Sequence, residues 1–183
     1  MNTRILPNRN PDTKAQEQLD GVKKMLGTTP NLFTTLAHSS AALGFYLSGV
    51  AALGGSKISG ALREQLSLTV AGVNSCDYCA SAHTALGKMQ KIADSELTKN
   101  LKGNSIDVKT QAALTFARKI VELRGHLADN DLKDVRTAGY GDAEIVEIIA
   151  VVCQNIFTNY FNHIAGTEVD FPFVSTLEYK KAA

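Results

Sequence analysis

Apolar positions along this chain recur at helical rather than alternating spacing. From Ser59 onward, Leu62, Leu66, Val70 and Val73 fall at offsets of four, four and three and make one stripe on a helix that Ser59 opens. Asp107 caps a long helix on which Ala113, Phe116, Ile120 and Leu123 repeat at three, four and three. Beyond the Gly139-Tyr140-Gly141-Asp142 turn, Ile145, Ile148, Ile149, Val152 and Ile156 stay in register on a strongly apolar helix. Ala41 to Leu53 is small and apolar, with Leu43, Leu47 and Val50 on one side, and predicts a close-packed core helix ended by Gly54-Gly55-Ser56. More polar helices are predicted from Asp12 to Leu26, stopped by Gly27, from Pro30 through Leu36 and Ala37, from Ser95 to Leu101 and from Leu127 to Ala138. Met1 to Asp12, with Pro7 and Pro11, reads as an extended arm, and the chain from Gly166 onward as an extended tail that ends loosely. No segment alternates as a strand does, so the fold class is all-α, a helical bundle formed by residues 1–183 as a single domain.

Composition adds little. The chain of 183 residues, 44% hydrophobic and 20% charged with a net charge of +1, is long enough for one sizeable core and is not of disordered character. No lysine/arginine run, Lys180-Lys181 included, is longer than two residues, which argues against a nucleic-acid partner. The first ten residues lack the apolar core of a signal peptide, and no apolar run approaches the roughly 20 residues of a membrane helix, so a cytoplasmic protein with no membrane partner is expected. In that compartment cysteines are more often free, catalytic or metal-bound than structural bridges.

Asn74-Ser75-Cys76-Asp77-Tyr78-Cys79-Ala80-Ser81-Ala82-His83 places two thiols and an imidazole within eight residues. Asn74 and Ser75 break the preceding helix and offer capping side chains, so a new helix running to about Lys91 starts near Cys76. Cys79 then sits in its first turn with His83 one turn below, within hydrogen-bonding reach of the sulfur. The helix N-terminus and a neighbouring imidazolium both favour a thiolate, while Asp77 opposes it. The spacing also allows a disulfide. Helical residues three apart hold their Cβ atoms about 5–6 Å apart, whereas a disulfide wants about 3.5–4.5 Å, so Cys76 belongs at the non-helical cap. Haem attachment needs a histidine where Ala80 stands, a thioredoxin-type site needs a βαβ setting, and zinc on Cys76, Cys79 and His83 lacks a good fourth ligand, Glu64 being a poor candidate. A redox dithiol with its own base fits the pattern best.

Glu64 shares a helical line with Leu68 and Ala71, where a partly buried carboxylate can carry protons; a solvated surface residue, paired with Arg63 or Arg118, is the alternative. Cys153 reads as a small buried hydrophobe, His126 as solvated and His38 as a capping or surface group. His163, beside Asn159 and Asn162, has the best case of those three histidines for lining a pocket. A shift of 80 residues carries Glu64 and His83 onto Glu144 and His163, as either a duplicated helical hairpin or chance would.

Glu64, eleven intervening residues and then Cys76-x-x-Cys79-x-x-x-His83 resembles the signature of the AhpD-like alkylhydroperoxidases of the carboxymuconolactone decarboxylase superfamily. Phe157-Thr158-Asn159-Tyr160-Phe161-Asn162-His163 and the segment from Gly166 to Pro172 resemble its peroxidase-related branch. The resemblance implies an all-helical bundle assembled as a homo-oligomer, a trimer or hexamer, with neither metal nor organic cofactor. It implies that Cys79 is the peroxidatic thiolate, Cys76 the resolving thiol, His83 the base and Glu64 the far end of a proton relay. A hydroperoxide would be the substrate and an external dithiol, lipoyl or thioredoxin-like, the reductant. The place before the second cysteine, often histidine in efficient peroxidases of this type, holds Tyr78. Three other functions fit the residues: a disulfide reductase, an acid–base enzyme of the carboxymuconolactone decarboxylase type using His83 and Glu64 alone, and a non-catalytic protein with structural zinc.

Overall fold

The computed structural model describes residues 3–177. Among them the secondary structure consists of nine α-helices and no strand. In chain order these are α1 (Thr13–Leu26), α2 (Asn31–Leu36), α3 (Ser40–Gly54), α4 (Gly60–Asn74), α5 (Asp77–Met89), α6 (Asp94–Leu101), α7 (Val108–Glu122), α8 (Asp129–Thr137) and α9 (Asp142–Ala165). Local chemistry sets most of the boundaries. Asp12, Ser39, Ser59 and Asp107 each accept a first-turn backbone N–H through the side chain, and Gly27 and Gly166 close α1 and α9 in the left-handed conformation.

The core is organised around α4, which packs against α5, α6, α7 and α9. Its residues from Gln65 to Gly72 are all buried, so the helix is enclosed on every side rather than along the one predicted stripe. Leu66 and Val70 face α7 and α9, and Leu68 and Ala71 face the layer built from α1, α2, α3 and α5.

Three sequence expectations need correction. Helix α3 is not a close-packed core helix: only Leu43 is fully buried, and Phe45 is 68% exposed. Ile149 and Cys153 point outward from α9 in one stripe with Val146, Tyr160 and Ile164, because that helix carries apolar residues on both its inner and outer faces and its inner face is the Ile145, Ile148, Val152 line. Glu144 and His163 belong to the single 24-residue α9, at opposite ends, so the 80-residue echo is no hairpin.

The segment after Gly166 is irregular but anchored. Asp170 accepts the Asn31 N–H, the Val174 N–H donates to Ser81 Oγ, and both the N–H and hydroxyl of Thr176 donate to Asp77 Oδ1. Residues 166–177 thus form a strap across α2 and the start of α5, and residues 178–183 of the predicted tail lie outside the described part. At the other terminus the Arg4 and Ile5 N–H groups meet the Ala165 carbonyl, which holds the arm against the end of α9.

Candidate active site

Ser75 turns the chain out of α4 in a left-handed conformation (φ 57°, ψ 43°), and Cys76 follows in an extended one (φ −95°, ψ 95°). Cys76 is itself the N-cap of α5, its Sγ accepting the Cys79 N–H at 3.2 Å, so the capping role expected of Asn74 or Ser75 falls to the thiol-bearing residue. With Cys76 non-helical and Cys79 in the first turn, their Cα atoms are 5.3 Å apart and the two sulfurs are joined as a disulfide. Both cysteines are buried.

His83 lies one turn below Cys79, as its spacing predicts. Its Nδ1 meets Glu64 Oε2 at 2.8 Å, with the two side chains 17% and 19% exposed. Glu64 is therefore neither solvated nor paired with an arginine; the packing of α4 against α5 delivers its carboxylate to the imidazole. His83 also walls the same cavity as Cys79, while the Cys79 sulfur accepts a hydrogen bond from Asn162 Nδ2 at 3.3 Å. Tyr78 is a structural neighbour of the pair. Its hydroxyl oxygen accepts the Leu32 N–H at 3.0 Å, its ring meets Phe171 edge-on, and burial pushes its ionisation far up, which keeps it a neutral phenol.

Three cavities meet at this constellation. An apolar one of about 130 Å³ touches Cys79 and His83 and is walled by Phe33, Tyr46, Leu86 and Phe171. A second, also about 130 Å³, lies at the Glu64 end of the pair with Arg63, Ser67 and Asn155. His83 and Tyr46 border both, so the imidazole stands between the sulfur and the carboxylate-lined space. Burial, reinforced by the nearby Glu64 carboxylate, pushes Tyr46 ionisation up as well. A third, larger groove of about 480 Å³ lies on the Cys76 side, with His163 in its wall. Among the described residues no group of three or more His, Cys, Asp or Glu is arranged to hold a metal ion.

The buried face of α9 supplies the residues that the sequence reading gave no role. Asn155, Asn159 and Asn162, at offsets of four and three, are all buried. Asn155 donates to Ser67, Asn159 accepts from Asn74, and Asn162 reaches Cys79. The readable signal was a polar stripe at helical spacing inside an otherwise apolar helix, since buried amides need partners and those partners lie at the site. His163 Nε2 lies 3.2 Å from the Ser75 carbonyl and must donate to it. His38 is exposed and pairs with the Leu6 carbonyl at 2.9 Å, and His126 is exposed.

The all-helical scaffold thus carries Glu64 on α4 and Cys79 and His83 on α5, with Cys76 capping α5, across two packed helices. Residues 39–123, 85 of the 183, match the model of the carboxymuconolactone decarboxylase family. An uncharacterized peroxidase-related protein from Silicibacter sp. TM1040 superposes with a TM-score of 0.82 at 22% identity, over 91% of each chain. The AhpD core of an uncharacterized peroxidase-related protein from Ralstonia eutropha JMP134 gives 0.84 at 20% identity, over 93% of this chain and 94% of that one. The debrominase Bmp8, solved in complex with 2,3,4-tribromopyrrole, gives 0.79 at 17% identity, over 100% and 98%. No curated protein matches the sequence significantly. At these identities the likenesses establish the fold.

Proposed function

We propose that the protein is a thiol peroxidase acting on organic hydroperoxides through Cys79, with Cys76 resolving and His83 and Glu64 moving the proton. The observation that carries this reading is that Cys79 and His83 line one apolar cavity while Glu64 is hydrogen-bonded to His83 Nδ1. In the reduced protein His83 takes the Cys79 proton. The thiolate attacks the terminal oxygen of the hydroperoxide, the O–O bond breaks, and the departing alkoxide takes the proton back from His83. Cys79 is left as a sulfenic acid, which condenses with the Cys76 thiol to the disulfide and releases water. An external dithiol restores both thiols.

The lining of the cavity by Phe33, Tyr46 and Phe171 favours a substrate with an apolar, aromatic-sized body. The same lining, with the likeness to a debrominase, supports a second reading in which the thiol pair reduces a halogenated aromatic: two thiols become the disulfide, and hydrogen replaces the halogen, which leaves as halide. We take the assembly to be a homo-oligomer, because Phe45 of α3 and Val146, Tyr160 and Ile164 of α9 leave large apolar side chains more than half exposed.

The test is single-turnover reaction of fully reduced protein with cumene hydroperoxide, followed by thiol counting and peptide mapping. A Cys76–Cys79 disulfide from wild type and a sulfenic adduct at Cys79 in Cys76→Ser are expected. Thiols that stay reduced refute the peroxidase reading, and halide release from a bromopyrrole then favours the second. Full turnover by Cys79→Ser on a carboxymuconolactone-type substrate would instead indicate acid–base chemistry by His83 and Glu64.

A further inference from the structure

The disulfide lies in the wall between two unlike spaces. The apolar cavity touches Cys79 and not Cys76; the polar groove touches Cys76 and not Cys79. Tyr78 and Asn162 border both and form the partition beside the sulfurs. The groove, at about 480 Å³, is the larger, and its wall includes Ser75, Asp77, His163, Thr167 and Glu168. Glu168 stands at its exposed rim, and Met89, 70% exposed, stands at the rim of the apolar cavity.

Resting on the peroxidase reading, we infer that the protein keeps separate entrances for its two substrates: the hydroperoxide reaches Cys79 through the apolar cavity, and the reducing dithiol attacks Cys76 from the polar groove. Thiol–disulfide exchange is an in-line displacement, so the attacked sulfur must be open on the side away from its partner, and the better-stabilised thiolate leaves. Cys79 is the better leaving sulfur. It sits in the first turn of α5, accepts Asn162 Nδ2–H at 3.3 Å, and has His83 in the same cavity wall. Attack on Cys76 therefore expels Cys79 into the environment that later activates it for peroxide.

His163 supplies a proton acceptor in the groove. Its Nε2–H is committed to the Ser75 carbonyl, which leaves the lone pair on Nδ1. One thiol of the reductant gives its proton to that imidazole, and its sulfur bonds to Cys76 as the Cys76–Cys79 bond breaks. The second thiol of the reductant then attacks the reductant sulfur of the mixed disulfide. Cys76 leaves, the proton held by His163 and the proton of the second thiol reach the two protein thiolates, and the reductant departs as an intramolecular disulfide. A dithiol without negative charge near its sulfurs suits a groove that carries Asp77 and Glu168.

The two half-reactions are measured separately on the full chain. Oxidation is read as thiol loss after cumene hydroperoxide is added to reduced protein; reduction is read as thiol gain after dithiothreitol is added to protein oxidised with diamide. Glu168→Trp, which fills the groove from its rim, is expected to slow reduction about tenfold, equivalent to ~1.4 kcal/mol of barrier, while leaving oxidation at the wild-type rate. Met89→Trp is expected to do the reverse. Quenching oxidised wild type in excess 2-mercaptoethanol should place the mixed disulfide on Cys76. An adduct on Cys79, or reduction slowed by Met89→Trp and not by Glu168→Trp, overturns the inference. Failure of the peroxidase reading shows separately, as reduced protein that the peroxide does not oxidise, because the reduction arm uses protein oxidised by other means.

Discussion

Replacing Glu64 with glutamine tests the relay without emptying its space. Glutamine keeps the length and an acceptor oxygen for His83 Nδ1–H, and it removes only the negative charge. The pair is direct, at 2.8 Å, and neither side chain is more than a fifth exposed, so solvent screens it only in part. A hydrogen bond to a charged partner in such a setting contributes about 1.5–3 kcal/mol. That energy acts when His83 becomes the imidazolium on taking the Cys79 proton. Its loss therefore corresponds to a fall of about 10- to 10²-fold in the rate of Cys79 oxidation. The assay is rapid mixing of reduced protein with a saturating hydroperoxide, quenched and counted for free thiols, with urea unfolding as the control for folding. The variant is expected to unfold within about 0.5 kcal/mol of wild type, as a nearly isosteric change at a partly exposed site should. Wild-type oxidation by Glu64→Gln, with Cys79→Ser inactive, would refute the relay and leave Glu64 as a structural partner of the imidazole.

Leu66 is fully buried where α4 meets α7 and α9, so Leu66→Ala should cost about 2–5 kcal/mol in urea unfolding. Burial raises the ionisation of Glu96, but hydrogen bonds from Ser105, Asn100 and the Ile106 N–H, with Lys99 nearby, outweigh it and hold the carboxyl below its usual range. The stability this contributes is complete above the unfolded carboxyl value of about 4.3 and is lost as pH falls through the lower folded value; the stability margin of wild type over Glu96→Gln should shrink across that window, by thermal unfolding at stepped pH. Phe45→Glu combined with Tyr160→Glu places charges on the exposed apolar faces of α3 and α9, and light scattering after size exclusion should show a smaller assembly than wild type.

The local part of this architecture was legible in the residues. Asp12, Ser59 and Asp107 cap their helices because a capping bond spans only three residues, and the Cys76-x-x-Cys79-x-x-x-His83 spacing puts sulfur and imidazole on one helical face for the same reason. The non-helical Cys76 followed from disulfide geometry alone.

What lies beyond one helix was settled by packing. The Glu64 carboxylate reaches His83 only because α4 folds back against α5, and Asn162 reaches Cys79 from 83 residues away. The strap from Gly166 to Leu177 looked loose because nothing in its own pattern specifies the distant Ser81 and Asp77 partners that hold it. Helices α3 and α9 were misread for a related cause. Periodicity finds the inside of a helix only when one face is polar, and these two are apolar around most of their circumference. Which side of α9 faced α4, and so whether Cys153 was core or surface, was decided by the arrangement of its neighbours. Residue type and spacing thus determined the chemistry within the Cys/His helix; tertiary packing decided what that chemistry touches, and from which side.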